Sequence, residues 1–338
     1  MGLSITNKIS IIIPFFNPNN SFFSELMNIV SNLPSFIEVV LVNDGSTMDY
    51  EYLKLLKDTN NIKYVELENN QGVSNARNIG IQQSSGEYLM FVDSDDLFNS
   101  KLLLNFIKNN RFCDNDLYCF SFASNPEDFL PNNPANSFDN PIIVNPLDAY
   151  SHYLYFNNSL SRFMFRSACG KIFKKRIITE FNIFFNKDLT HFEDADFLAQ
   201  FLSKANGCAL FNLPFYYYRN NVNSASKSYI SDVVSKFEIY FRQFEIKNYI
   251  FRNTLFMDTL YLLLPTILLN IKKDKGHITH KEIYRTLHLP FVLKSFEELK
   301  IQKLDTNIKY LNRIISLYKT SRFLFIPFYL SHYLRRYF

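Results

Sequence analysis

A mostly parallel β-sheet wound with helices, an α/β fold, is predicted by three observations. Short apolar runs alternate with helical patterns, polar residues gather where those runs end, and one apolar run stops in three carboxylates. Lys8 to Asn17 (KISIIIPFFN) is a β-branched run closed by Pro14. Ile37 to Asn43 is a second run that leads straight into Asp44, Gly45 and Ser46. Ile62 to Leu67 is a third, followed by NNQGVSNARNIG, Asn69 to Gly80. None alternates strictly between apolar and polar, as expected of parallel strands covered on both faces. Helical spacing falls between them, at Phe22 to Asn32, Tyr50 to Lys57 and Val73 to Gln82. Ligands of such sheets collect at the carboxyl ends of the strands, and Asn17, Asp44 and Asp93 all sit there.

The run GEYLMFVDSDD, Gly86 to Asp96, ends in Asp93, Asp95 and Asp96. Residues two apart on an extended segment share a face, so Asp93 and Asp95 can converge while Ser94 turns away. Crowded carboxylates suit a hard divalent cation carrying a diphosphate; an acidic strand end also serves as a solvated turn or helix cap. Asp44, exposed by a Gly-Ser turn, can accept hydrogen bonds from a base edge or a ribose. The same residues also read as a turn with a helix cap at Ser46 or Thr47, worth about 1 kcal/mol. Arg77 lies in the first half of a helix, where a cation gains nothing from the macrodipole and needs another partner. Asn78 and Gly80 read as residues packing that helix on the sheet. In HFEDADFLAQFL, His191 to Leu202, the phenylalanines and leucines fall at helical spacing, with Glu193, Asp194 and Asp196 in the first turn. Acids there complement the helix dipole by about 0.3–1 kcal/mol each, whatever else they do.

The order IIIPFFN, VNDGS, NQGVSNARNIG, FVDSDD and FEDADF resembles the family 2 glycosyltransferases over about Ile9 to Ser226. The resemblance implies a GT-A fold, a nucleotide-sugar donor for which a UDP-sugar is the first choice, a divalent cofactor (Mn2+ or Mg2+) and inversion at the anomeric carbon. It implies donor contacts from Pro14, Phe15, Asn17, Asp44, Arg77, Asp93, Ser94, Asp95, Arg219 and Ser224. Asp95 becomes the principal metal ligand, with Asp93 reaching the ribose or the ion through water. Asp194 becomes the general base, with Asp196 its substitute if the helix phase differs, and Glu193 orients a loop or an acceptor hydroxyl. In LPFYYYRNNVNSASKS, Leu213 to Ser228, an aromatic strand ends at Arg219 and a polar loop follows. The resemblance makes that loop a lid over the donor diphosphate. Asn221 stands where the family commonly has histidine, a departure that bears on any third protein ligand for the metal.

A length of 338 residues with 47% apolar content can bury more than one core. The motifs divide it into a catalytic domain, 1–228, and a helical C-terminal region, 229–338. Helical patterns in that region run over Val233 to Tyr249, Thr254 to Ile271 and from about Asn307. Cys113, Cys119, Cys169 and Cys208 show no CxxC spacing, so neither a zinc site nor a disulfide framework is expected, and a reducing cytoplasm suits them. MGLSITNK leads directly into the first strand, leaving no room for a signal peptide. The apolar run Thr259 to Leu269 is interrupted by Pro265 and falls short of the roughly 20 residues that span a bilayer. After Asp305 there is no acidic residue, while Lys309, Arg313, Lys319, Arg322, Arg335 and Arg336 interleave with FLFIPFYL, Phe323 to Leu330. Such a tail reads either as a peripheral contact with the anionic inner face of the cytoplasmic membrane or as a terminal helix docked on the protein. A net charge of +4 with no basic stripe argues against nucleic acid. The expected function is sugar transfer to a glycan or lipid-linked acceptor in bacterial capsule, lipooligosaccharide or other surface polysaccharide synthesis. The alternative is a non-catalytic nucleotide-sugar-binding or scaffolding subunit, which retention of both acidic clusters disfavours.

Overall fold

The computed structural model describes residues 9–48, 50, 53, 61–109, 112, 115–123, 125, 129, 138, 141–149, 166–219, 230–251 and, in part, 255–301. The chain separates into two compact units, one of residues 1–154 with 159–224 and one of 155–158 with 225–338.

In the first unit, β1 (Ile9–Phe15) lies between β2 (Ile37–Asn43) and β4 (Tyr88–Phe91), and β3 (Ile62–Glu66) pairs with the far side of β2, all parallel. Every residue of β1, β2 and β4 is buried, which is why these segments read as largely apolar, and the polar Ser10 of β1 and Glu38 of β2 hydrogen-bond to each other. Beyond β4 the parallel rule fails. β8 (Lys171–Lys174) inserts antiparallel between β4 and β6 (Leu117–Ala123), and β9 (Cys208–Tyr217) then runs parallel to β6. The short β5 (Leu97–Phe98) and β7 (Ile142–Val144) each pair antiparallel with β9. The order is thus β3-β2-β1-β4-β8-β6-β9-β5; most of the pairing is parallel, as expected, while antiparallel ladders enter with β8, β5 and β7, and strands β5 to β8 were absent from the expectations.

Helices α1 (Asn20–Ser31), α2 (Val73–Gln83), α3 (Ser100–Lys108), α4 (Lys175–Glu180) and α5 (Glu193–Leu202) complete the described part of this unit. Asn19 caps α1 by accepting from the Ser21 and Phe22 N–H groups, and Asn99 caps α3 by accepting from the Leu102 N–H. The expected helix Tyr50 to Lys57 lies almost wholly outside the described residues. Phe and Tyr fill the core, which holds no Trp. Phe106 is ringed by Phe112, Tyr118, Phe120, Phe138 and Phe211. Phe91 meets Phe173, Phe185 and Phe197 edge-on, and Phe185 stacks on Phe197 with centroids 4.0 Å apart, locking α5 to the sheet.

α2 sits close to β1 because Gly80 faces Ile12; a Cβ there would stand 2.3 Å from Ile12 Cγ2. Ile12 is a buried strand residue with nowhere to move. Gly80→Ala is therefore expected to cost about 1–3 kcal/mol through overpacking, despite alanine's better helix propensity. A fall in the urea midpoint checks it, and an unchanged or raised midpoint would refute it. Asn78, beside it, donates to the Phe185 carbonyl and accepts from the Phe185 N–H, both at 2.8 Å, so it is a structural residue as expected.

The described part of the second unit is helical: α6 (Val233–Lys247), a 3-10 turn at Tyr249–Phe251, α7 (Leu264–Lys275) and α8 (Pro290–Ile301). Its core joins Phe241 to Phe256 and Phe291, and Asn270 exchanges two hydrogen bonds with the Ile230 backbone. Among the described residues no helix is long and apolar enough to cross a membrane.

Candidate active site

Three elements meet at the carboxyl edge of the parallel strands. The loop after β4 carries Asp93 to Asp96, the first turn of α5 carries Glu193 and Asp194, and α2 carries Arg77 between them. The Arg77 guanidinium is buried and bonds Asp93 Oδ1 at 2.8 Å, Asp194 Oδ1 at 2.7 Å and, more loosely, Glu193 Oε1 at 3.5 Å. Its plane also lies over the Phe185 ring, 5.2 Å from the centroid. One cation thus holds together carboxylates 16, 116 and 117 residues away in sequence. Sequence reasoning sensed that Arg77 needs a partner; in the structure the partner is this acidic group.

The second oxygen of Asp194 accepts from the Ala168 N–H at 3.0 Å. Burial pushes the Asp194 carboxyl upward, and Arg77 is the principal force opposing it. Arg77 itself is penalised by burial, but Asp194 and Asp93 outweigh that and hold it charged. The residue before α5, Phe192, adopts a left-handed backbone (φ 64°), which costs a bulky side chain energy and sets the angle at which the two acids enter the site.

Burial, and then the charge of Asp194, push Glu193 up to about 7 against the pull of Arg77. From about pH 4.5 to 7 the folded state therefore binds more protons at Glu193 than the unfolded chain does, and stability falls as pH rises through that window. Glu193→Gln removes the titration. Relative to wild type, the variant should gain roughly 1–3 kcal/mol between pH 4.5 and 8. Parallel urea midpoints across that range would contradict this.

Asp96 points inward. It accepts from the Tyr216 hydroxyl at 2.8 Å and the Arg219 N–H at 2.9 Å, fastening the end of β9 to the acidic loop. Burial and the neighbouring Asp93 raise its carboxyl to about 8. Asp93, Ser94 and Asp95 stay partly exposed at the mouth. Among the described residues no three His, Cys, Asp or Glu side chains are grouped to hold a metal. Two partly exposed carboxylates, Asp93 and Asp95, fit an ion that takes its remaining ligands from phosphate and water.

Several sequence-predicted contacts are turned elsewhere. Phe15 is a core residue, packed on Phe23 and Tyr50, because β1 continues one residue past Pro14; Phe16 is the exposed aromatic at that rim. Pro14 is buried within β1, paired with Val42. Asn17 has a left-handed backbone (φ 41°), accepts from the Thr47 N–H at 2.9 Å and so ties the β1 end to the β2 end. Asp44 is buried and accepts from the Gln71 and Gly72 N–H groups at 2.9 and 2.8 Å, anchoring the loop before α2 rather than standing open to a base. Gly45 (φ 69°) allows that close approach, since a Cβ there would lie 2.4 Å from the Asn69 carbonyl carbon. Arg219 pairs with Glu25 and lies over the Phe22 ring at 4.5 Å, leaving its buried Nη1 without a hydrogen-bond partner. Asp196, the alternative base, is fully buried and accepts from Gln200 at 2.8 Å, too deep to meet an acceptor. Ser224, Asn221 and the rest of the proposed lid lie outside the described residues.

Comparison with known proteins bears on the family and the fold. The family model "Glycosyl transferase family 2" matches residues 10–181. The teichoic acid poly(glycerol phosphate) polymerase of Staphylococcus epidermidis is 27% identical over 62% of this chain and 28% of its own length. The chain spans less than a third of the length of the first curated relatives it matches. Among solved structures, S. aureus TarS 1-349 in complex with UDP-GlcNAc superposes with a TM-score of 0.62 at 20% identity, covering 87% of this chain and 80% of TarS 1-349. The Pyrobaculum calidifontis mannosyltransferase PcManGT, in complex with GDP-Man and Mn2+, gives 0.50 at 15% identity over 88% and 81% of the two chains. Such likenesses show the fold.

Proposed function

The chain belongs to glycosyl transferase family 2 and is a glycosyltransferase of GT-A fold, and from that premise we propose an inverting transfer from a nucleoside-diphosphate sugar. A UDP-sugar is the first choice of donor, and a glycan or lipid-linked molecule of the bacterial surface is the acceptor. The observation that carries the reading is the Arg77 clamp, which sets Asp194 beside the donor-binding acids with one oxygen on Arg77 and the other on the Ala168 N–H. Residues 1–228 are proposed as the catalytic domain and 229–338 as the helical C-terminal region.

In the proposed reaction the acceptor hydroxyl attacks the anomeric carbon from the side opposite the diphosphate. The new C–O bond forms as the bond to the diphosphate oxygen breaks, and the leaving group takes the electron pair. Asp194 receives the hydroxyl proton. Arg77 opposes the upward push of burial on Asp194 and pairs with Asp93. Glu193, buried beside Asp194, orients the acceptor. Asp95, assisted by Asp93, would hold Mn2+ or Mg2+; bound there, the ion supplies charge stabilisation for the departing diphosphate.

Asp95→Asn removes an anionic oxygen proposed to hold the ion. It is expected to abolish metal-dependent transfer and weaken donor binding, and wild-type activity with the metal chelated would overturn the metal assignment. Identification of the donor follows from a panel with Mn2+, since about 100 Kd of the correct nucleotide sugar should stabilise the fold by roughly 2.7 kcal/mol. No stabilisation by any nucleotide sugar would count against the transferase site. The basic tail, 306–338, lies outside the described residues; it is proposed to hold the enzyme at the cytoplasmic face of the membrane, near a lipid-linked acceptor.

A further inference from the structure

We propose that α6 and the turn after it form a docking face for an anionic lipid bilayer, distinct from the basic tail. The proposal rests on the membrane reading above only for the kind of surface. Ile239 and Ile246 stand seven residues apart on α6, hence on one face, and Ile250 follows in the 3-10 turn. They are 43%, 80% and 57% exposed, although the opposite face of the same helix buries Phe237, Tyr240, Phe241 and Phe244. Three such side chains on one helix and the turn that follows it form an apolar row rather than a single exposed residue.

Charge identifies the partner. Without the tail, residues 225–305 contain 13 Lys and Arg against nine Asp and Glu, whereas residues 1–224 contain 17 against 23, so the mild net +4 of the chain is made of +4 there, −6 on the first portion and +6 on the tail. Lys236 and Lys247 flank the isoleucine face. The acids of α6 are neutralised, Glu238 by Arg242 at 2.6 Å and Glu245 by Lys294 at 2.6 Å. An apolar ridge bordered by cations complements acyl chains beneath anionic headgroups, where each basic group near the surface adds about 1 kcal/mol.

The test uses the full chain and sedimentation with vesicles of phosphatidylcholine alone or mixed with phosphatidylglycerol. Binding is expected only to the anionic vesicles and should decline as salt shortens the Debye length below about 10 Å. Ile246→Ser combined with Ile250→Ser, at exposed positions, should weaken binding about tenfold or more. Circular dichroism and nucleotide-sugar hydrolysis in vesicle-free solution should be unchanged. Lys247→Gln should weaken binding less, and chiefly at low salt. Wild-type binding by the isoleucine variant, with release by Arg322→Gln, Arg335→Gln and Arg336→Gln together, would overturn the proposal and leave the tail as the anchor. Failure of the unmodified chain to bind anionic vesicles would overturn it too. So would a change of oligomeric state in the isoleucine variant, which would assign the face to a second copy. Absent hydrolysis with intact anionic-vesicle binding would refute the transferase reading and uphold this one.

Discussion

Arg77→Gln is expected to lower stability by roughly 3–5 kcal/mol at pH 8 and to abolish transfer. The substitution leaves Asp93, Glu193 and Asp194 together without the buried cation that bonds all three. Deprived of Arg77, the Glu193 and Asp194 carboxyls, already pushed up by burial, titrate higher still, so protonation relieves the repulsion in acid. The loss should therefore shrink at pH 5, which a merely lost packing contact would not do. Arg77→Lys keeps the charge but cannot bridge two carboxylates in a fork, and should recover only part of the stability. Equal urea midpoints for Arg77→Gln and wild type at pH 8 would show that the clamp holds nothing.

Asp194→Asn should separate binding from chemistry. Loss of a positioned base typically costs about 10²–10⁴ in rate, while the donor, held by other groups, should bind within about threefold of wild type. Turnover with saturating donor and acceptor reads the first, and calorimetric titration of donor the second. Comparable turnover in the variant would move the base to Glu193, since Asp196 is sealed in the core.

The centre of the parallel half of the sheet was legible because burial on both faces leaves β1 and β2 rich in β-branched residues. β2 spans Ile37–Asn43 as read, and α2 ends one residue beyond the expectation. The acidic positions were legible for a similar local reason, each lying at the end of an element. What was not legible depends on partners distant in sequence. β8 is four residues long and contains Lys171, whose fully buried amine donates to the Cys169 carbonyl, so its pattern resembles no buried strand. Cys119 and Cys208, 89 residues apart, approach to 3.8 Å between their sulfurs only because β6 and β9 pair. The direction of a single side chain was equally hidden: one extra strand residue puts Phe15 in the core and Phe16 outside, and Asp44 turns toward backbone that no local pattern specifies. Arg77 illustrates both sides, since helix position revealed a missing partner and the tertiary fold supplied three.

The place of β8 in the sheet also governs how the protein can be made. Among the described residues it is the only strand joining β4 to β6, yet it arrives in the chain after both. A nascent chain that has finished β4 holds a parallel sheet whose YLMF edge lacks its neighbour until about 80 more residues emerge. At about 5–20 residues per second that is roughly 4–16 s. Throughout that interval an apolar edge is open to any other strand, on another ribosome or on a chaperone. Synthesis of this protein thus carries its greatest risk of misassembly midway through translation, and a pause just before Lys171 would prolong it.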